Sequence, residues 1–594
     1  MAKIFEFSKP YGHLLLMAVV LLSVEAYCAL ILPGRMADIV NDGVIAGNIP
    51  FIWRTGLTML LVSLIGVFCA VSVAYMSAKI ATGVANDMRE AVFKKVLHFS
   101  NAEINKFSTS SLITRTTNDV TQVQNTLAMS IRMLIYAPVL GVGGIIRASA
   151  RDMSMTWIIA IATLTMVSII GALIIVVMPK FKMVQTLIDR LNMVSRENLS
   201  GLLIVRAFST QKFERQRFDT ANKELADTNL FVEQAFAFIT PSIMLIINVT
   251  TALIVWFGAH QVSAFRIDVG DMFAFMQYGV LILFSFIMIA VLFVFLPRGV
   301  VSAERIKEVL ETDGSLLYRK DPIPLPKDFK GEIEFRDVTF RYPDATDDDD
   351  PVLQNISFTC QSGKTTAIIG ATGSGKSTVL QLLLRFYDVT DGAIYVDGFD
   401  IRDVSKQELH NKIGYIPQKA HLFSGTIMSN LLYADRKAGE SRVDEAVEIA
   451  QSTSFIEEKP EKYNSNVAQG GSNFSGGQRQ RLSIARALVK KAQIYLFDDS
   501  FSALDLKTDS LLRAALKKKV RDSTKLIVAQ RISTIMDADQ IVVLDNSRIV
   551  GLGTHFELMG SCEVYREIAA SQLSEEESNK ESNKESNKEA NKGG

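Results

Sequence analysis

Through its first half the chain alternates long apolar runs with long charged segments. From about residue 330 onward the apolar runs shorten to strand length. Six runs, near 11–33, 56–80, 129–149, 155–178, 236–259 and 270–297, are long enough to cross a bilayer, which takes ~20 residues as helix. The first exceeds a signal-peptide core, and no cleavage signal of small residues follows it, so it is expected to stay as a span. The third is interrupted by Arg132 and Pro138. Between the runs, 81–128 and 180–235 are too long for simple loops. Their apolar positions recur at helical spacing, as at Ile188, Leu191, Val194 and Leu199. The pattern predicts membrane helices continuing past the bilayer as hairpins, with tips around Phe107–Asp119 and Phe208–Phe218 that touch the second half of the chain.

After the sixth run a polar connector, 311–330, carries Pro322, Pro324 and Pro326. Residues 333–338 alternate as a strand does. Thr366–Ile369 is an apolar run suited to a buried strand, followed by a glycine-rich turn and a helical pattern from Val379. The expected division is a transmembrane domain over 1–310, a linker over 311–330, a soluble α/β domain over 331–573 and a tail over 574–594. The tail repeats SNKE and NKE units without apolar residues, a composition that cannot offset the entropy of folding. The acidic run Asp347–Asp350 reads as a solvated loop tip.

Charge fixes the orientation. Arg89, Lys94, Lys95, Lys106 and Arg115 lie in the first long connection, and nine Lys/Arg from Lys180 to Lys223 in the second. The connections on the other side are short and carry only Arg35, Arg54, Arg151 and Arg266. Lys/Arg-rich connections stay cytosolic, so the N-terminus and everything after the sixth run are placed there, at the plasma membrane. With 63 Lys+Arg against 63 Asp+Glu, no bulk basicity argues for nucleic acid. The four cysteines are scattered and the histidines show no metal-ligand spacing. Glu25 is a carboxylate in mid-span, which marks either a functional cavity or a polar contact to a neighbouring helix. The sixth run is rich in Phe and Met, among them Phe273, Phe275, Met276, Phe284, Phe286, Met288, Phe293 and Phe295, side chains suited to an adaptable apolar cavity or to helix packing.

The soluble half carries the chemistry. Gly370–Thr378, GATGSGKST, fits G-x-x-x-x-G-K-[ST] between a strand and a helix. Gly370, Thr372, Gly373, Ser374, Gly375, Lys376, Ser377 and Thr378 would cradle phosphates, with Lys376 on the β/γ-phosphates and Ser377 on Mg²⁺. Gln418 ends a strand with an amide able to sense Mg²⁺ or attacking water. Phe474, Ser475, Gly476, Gly477 and Gln478 open a helix from Arg479 to Val489, a second helix N-terminus suited to phosphate. Ile494–Asp498 is an apolar strand ending in a carboxylate placed to hold Mg²⁺.

As an ordered set these motifs resemble an ATP-binding cassette exporter of the half-transporter type: six transmembrane helices with long cytosolic extensions fused to an α/β P-loop ATPase. In that resemblance Tyr342 matches the adenine-stacking aromatic, 370–378 the Walker A loop and Gln418 the Q-loop. Phe474–Gln478 match the signature, Asp498 the Walker B aspartate, and Ser502–Asp505 the D-loop. Leu112–Arg115 with Asn118 and Asp119, and Glu197–Gly201 with Val205–Phe208, match the membrane half. The resemblance implies ATP and Mg²⁺ as cofactors. It also implies a dimer closing on two ATP molecules, each held between one subunit's Walker A and the other's signature.

Two positions depart from the family. The catalytic glutamate after the Walker B aspartate is Asp499, and the switch histidine is Gln530. Aspartate is one methylene shorter, roughly 1–1.5 Å, and a misplacement of that size costs ~10²-fold in rate. Glutamine neither carries positive charge nor exchanges a proton as histidine does. Together the two changes predict a site that binds ATP and hydrolyses it poorly, while the intact signature serves a competent site on a partner. This pairing resembles heterodimeric bacterial multidrug exporters and predicts export of hydrophobic or amphipathic small molecules, in contact with membrane lipid. A homodimer, lipid or peptide cargo, and an ATP-gated regulatory subunit without coupled transport are the alternatives. An importer fits less well, and no peptidase domain precedes the first run.

Overall fold

Each apolar run becomes the core of a longer helix, because the charged segments beside it keep helical periodicity. A computed structural model describes residues 6–316, 318–319, 321–346 and 350–572; the repeat tail and Asp347–Asp349 lie outside them. Among the described residues, six helical stretches are long and apolar enough to cross a membrane: Lys9–Ile45, Ile49–Leu97, Thr109–Arg151, Met153–Ser200, Gln211–Ser263 and Val269–Glu311. The chain divides into two compact units, 1–97 with 109–312 and 98–108 with 313–594.

In the first unit the principal helices are α1 (Gly12–Asp38) and α2 (Ile49–Leu97). After α3 (Asn101–Phe107), which belongs to the second unit, come α4 (Val120–Arg151) and α5 (Thr156–Ser200). The last three are α6 (Gln211–Ala237), α7 (Ile239–Ser263) and α8 (Val269–Glu311). Small residues let α4 and α8 approach closely, as membrane helices require when lipid is as apolar as leucine. A Cβ on Gly141 would come within 2.7 Å of Ser285 Oγ, one on Gly144 within 2.7 Å of Ile282, and one on Gly299 within 2.5 Å of Thr126. Pro138 lies inside α4 without ending it. Polar ties hold the bundle at both ends. Arg151 donates to Asp271 at 2.7 Å and Asp38 at 3.1 Å; Ser302 donates to Asp119 at 2.8 Å, and Arg115 to Glu308 at 2.7 Å.

The extensions of α5 and α6 pack as a hairpin around Val177, Val184 and Val232, with an Arg190–Glu224 pair at 2.6 Å. Val194 is buried as its periodicity predicts, but Leu199 is exposed, and a short helix, Leu202–Ala207, follows it before α6. The Phe/Met-rich run divides: Phe275 is buried against Tyr278 and Ile282, while Phe273 and Phe284 face outward. The side chain of Phe293 lies outside the described ones.

The second unit is built on two sheets. A four-stranded antiparallel sheet has the order β2-β1-β4-β5, formed by β1 (Ile333–Phe340), β2 (Leu353–Cys360), β4 (Asp391–Val396) and β5 (Phe399–Asp400). A six-stranded sheet has the order β12-β11-β3-β10-β9-β6. Its strands are β3 (Thr365–Gly370), β6 (Ile413–Ile416) and β9 (Ile494–Asp498), with β10 (Thr524–Val528), β11 (Gln540–Asp545) and β12 (Arg548–Gly553). A two-stranded ribbon pairs β7 (Gly425–Thr426) with β8 (Asn466–Val467). All neighbours in the six-stranded sheet are parallel except β12. Parallel strands covered on both faces read as continuous apolar runs, and every residue of β9 is buried.

Three helices frame the site: α9 (Lys376–Leu383), α10 (Gly476–Val489) and α11 (Leu506–Lys519). Helix α10 starts earlier than Arg479, since Gly476 and Gly477 form its first turn behind the Ser475 cap. Segment 98–108 clusters with this unit rather than with the membrane helices around it in sequence; it shares only Phe107 and Ser108 with the predicted tip, whose remainder, 109–119, belongs to the first unit. The Glu103 carboxylate binds it there, accepting from Ser100 N at 2.6 Å and Ser315 N at 2.8 Å.

Candidate functional site

Parallel pairing sets the frame of the site. Register aligns Ile368 of β3 with Val528 of β10, and Val528 with Asp498 of β9, so the strands end together. The carboxyl edge of a parallel sheet is where such folds place ligands. Beyond β3 the loop curls through Gly373 and Gly375 at φ +87° and +88°, a left-handed conformation that glycine takes without cost. A Cβ on Gly375 would also strike Val352 O at 2.8 Å.

Within the cradle the Ser374 hydroxyl is buried without a hydrogen-bond partner among the described residues. Lys376 Nζ donates to the carbonyls of Gly370 at 2.9 Å and Ala371 at 2.6 Å, and burial lowers its pKa. An orphaned donor and a buried ammonium at a helix N-terminus fit a phosphate. Ser377 Oγ donates to Asp498 Oδ1 at 2.6 Å, and Tyr415 reaches Asp498 Oδ2 at 3.5 Å. Burial raises the Asp498 pKa and the neighbouring Asp499 charge adds to the rise, against the Ser377 hydrogen bond. The hydroxyl and carboxylate are the oxygen donors a Mg²⁺ ion takes.

Asp499 sits at φ +45°, a strained conformation for a non-glycine residue, fixed by its N–H donating to Val528 O at 2.9 Å. Its Oδ2 accepts from both amides expected near the reaction centre, Gln530 Nε2 at 2.9 Å and Gln418 Nε2 at 3.4 Å. Burial raises the Asp499 pKa too, against the Gln418 hydrogen bond. The three residues singled out for the hydrolytic step therefore lie together.

Tyr342 packs edge-on against Tyr387, ring centres 5.3 Å apart, and its hydroxyl lies 2.9 Å from Thr378 Oγ1. Phe474–Gln478 form a separate feature. Ser475 caps α10 and exchanges hydrogen bonds with Gln478, while Arg479 holds Phe474 O at 2.6 Å. Asp505 caps α11 by accepting from Thr508 N at 3.0 Å, which keeps its carboxyl below the usual range.

Two contributors were invisible in the sequence. Tyr387 joins Tyr342 to Asn105, whose amide donates to the Tyr387 hydroxyl at 3.3 Å. Gln572 brackets the switch segment: its Nε2 donates to Gln530 O and its Oε1 accepts from Ile532 N, both at 2.7 Å. Neither stands at a motif spacing.

Family comparison agrees with this geometry. Residues 353–502 match the ABC transporter family model and 15–287 the ABC transporter transmembrane region. The chain is 40% identical over 568 residues to an uncharacterized ABC transporter ATP-binding protein of Mycobacterium tuberculosis, covering 95% of this chain and 97% of that protein. The chain belongs to the ABC transporter family. A second uncharacterized ABC transporter ATP-binding protein, from Bacillus subtilis, is 35% identical over 97% of this transporter chain and 100% of its own length. An ATP-dependent lipid A-core flippase of Syntrophus aciditrophicus is 29% identical, covering 97% and 94%. The fold matches a bacterial Atm1-family ABC exporter solved with ATP bound, at TM-score 0.78 and 23% identity, covering 94% of this chain and 98% of that one. As an ABC transporter, this multi-pass membrane protein carries an ATPase domain coupled to transport.

Proposed function

We propose that this exporter half forms a heterodimer in which its own Walker A belongs to the slow ATP site. The observation that carries the reading is the Asp499 carboxylate, shortened by one methylene and tied through one oxygen to Gln530 and Gln418. A base for hydrolysis must reach the attacking water, and a donor to the γ-phosphate must be free to give its hydrogen. Here the residue at the base position is withdrawn, and the amide at the switch position spends a hydrogen on it. Ser374, Lys376 and the α9 N-terminus bind the phosphates. Ser377, Asp498 and Gln418 would hold Mg²⁺, which neutralises phosphate charge. Binding is thus retained while the chemical step is slow. Ser475, Gly476 and Gly477 serve the second site, completed by a partner that supplies Glu and His.

Closure of the ATPase units around ATP and their reopening switch the membrane helices between inward- and outward-facing states, and the cargo is a hydrophobic or amphipathic compound. The basic connections support a cytosolic placement of the ATPase unit at the plasma membrane. A lipid cargo is the second reading, supported by relatives named as lipid A-core flippases.

The test is steady-state ATP hydrolysis of the full chain alone in lipid, beside Asp499→Glu/Gln530→His. A nearly inert wild type with an active double variant supports the reading. Brisk turnover by the wild type alone overturns it and makes the homodimer the working form.

A further inference from the structure

Glu25 is the midpoint of α1, roughly 20 Å of helix rise from either end, which puts its charge deep in the bilayer. Its Oε1 accepts from Arg132 Nη2 of α4 at 3.3 Å, while its Oε2 is buried without a partner among the described residues. The two members differ in access. The Glu25 side chain is 8% exposed and that of Arg132 46%. The charge presented to the surroundings is therefore the guanidinium.

The C-terminal end of α4 gives the comparison. Arg151 spends its donors on Asp271 at 2.7 Å, Asp38 at 3.1 Å and Gly34 O at 3.4 Å. A guanidinium has five N–H donors and readily bridges two carboxylates, as Arg151 does. Glu25 is the hydrogen-bond partner of Arg132 among the described residues, and the contact is long. Arg132 thus has spare donors at a depth where an unsatisfied charge is costly and marks a functional path. On the same helix, Leu127, Ile131 and Leu134 line an apolar cavity of about 380 Å³, completed by Val19, Val84 and Val300; Arg132 is not among its lining residues. The hydroxyls of Thr126 and Ser130 on its wall are buried without partners among the described residues.

We propose that Arg132 is an anion-recognition point on the path of the transported compound. The compound is accordingly an acidic amphiphile, an apolar body bearing a phosphate or carboxylate. Glu25 is the resident counter-ion that holds the guanidinium until that group arrives. The proposal rests on the reading of the chain as an exporter of amphipathic compounds. A cationic cargo fits less well, because the unpartnered oxygen of Glu25 is sealed from the surface.

The experiment uses the full chain in phosphatidylcholine nanodiscs. Four fluorescent probes with the same apolar body are titrated: a lysophosphatidic acid, a carboxylate, an uncharged monoacylglycerol and a quaternary ammonium. Each is measured on wild type, Arg132→Gln, Arg132→Lys and Glu25→Gln, with fluorescent-ATP binding as the check on folding. Arg132→Gln weakens the acidic probes roughly 10–100-fold, the range of a lost charge-assisted contact, while the uncharged probe is unmoved. Arg132→Lys restores part of the loss, and Glu25→Gln tightens the acidic probes by removing their competitor. Loss confined to the phosphate probe assigns a lipid-like headgroup, and loss of both acids a broader acidic class. An equal effect of Arg132→Gln on charged and uncharged probes overturns the proposal, as does weakening of the acids by Glu25→Gln. Binding of the uncharged and ammonium probes without the acids rejects the anion site but leaves amphiphile export standing. Failure of all four probes removes both.

Discussion

Gln572 offers a direct test of how the switch segment is held. Replacing it by alanine removes two hydrogen bonds of 2.7 Å, one to Gln530 O and one from Ile532 N. Each neutral hydrogen bond contributes about 0.5–1.5 kcal/mol net. Because Gln572 is half-exposed and water replaces part of the loss, about 1–2 kcal/mol for the pair is the working figure. That corresponds to a roughly 5–30-fold rise in local opening of the segment. Hydrogen exchange on the purified full chain reads this at the Ile532 amide, while the amides of β9 and β10 serve as an internal reference. Gln572→Glu keeps an acceptor for Ile532 N but cannot donate to Gln530 O, so it falls between wild type and alanine. Fluorescent-ATP affinity changes less than exchange does, since Gln572 touches the switch backbone and not the phosphate loop. An Ile532 amide that exchanges at the wild-type rate in Gln572→Ala refutes the bracket.

Other outcomes follow from the same geometry. Lys376→Ala weakens fluorescent-ATP binding roughly 10–100-fold, the range of a lost charge-assisted contact to phosphate. Because burial raises the Asp498 and Asp499 pKa values above the ordinary 3.8, Mg-nucleotide affinity starts to fall on acidification at a pH above that value. The sign for the empty ATPase unit is opposite. Its stability falls as pH rises from the ordinary carboxylate pKa through the raised values, because the charged forms are the desolvated ones. A binding midpoint at or below the ordinary carboxylate value contradicts both statements. Gly144→Val forces a side chain against Ile282 and costs about 1–3 kcal/mol, lowering the melting temperature in lipid. Gly171→Ala, where a Cβ meets nothing within 4 Å, leaves it unchanged or slightly raised.

Much of this was legible in the sequence because the signals are local. The phosphate loop lies in nine consecutive residues, and β9 coincides with the apolar run Ile494–Asp498. The six membrane helices follow from hydropathy, since a bilayer leaves the backbone no other way to satisfy its polar groups. The sequence also singled out Asp499 and Gln530, but only the fold reveals that they bond to each other. Contacts set by tertiary folding were not legible: Gln572 meets Gln530 across 42 residues, and Arg132 meets Glu25 across 107. No periodicity or motif spacing carries such information. The exposure of Leu199 has the same origin, because helical spacing names a face but not which of its positions a neighbour covers.

The allegiance of residues 98–108 bears on how this chain can be cut and recombined. The polypeptide passes between the two units three times, after Leu97, Ser108 and Thr312, so the ATPase unit is not a contiguous stretch of gene. A cassette excised from residue 313 onward leaves the Ser315 amide without Glu103 and the Tyr387 hydroxyl without Asn105. A chimera that exchanges ATPase units between two exporters therefore preserves these joints only if the short insert from the membrane half travels with the cassette. The module that evolution or an engineer can shuffle intact is a discontinuous one.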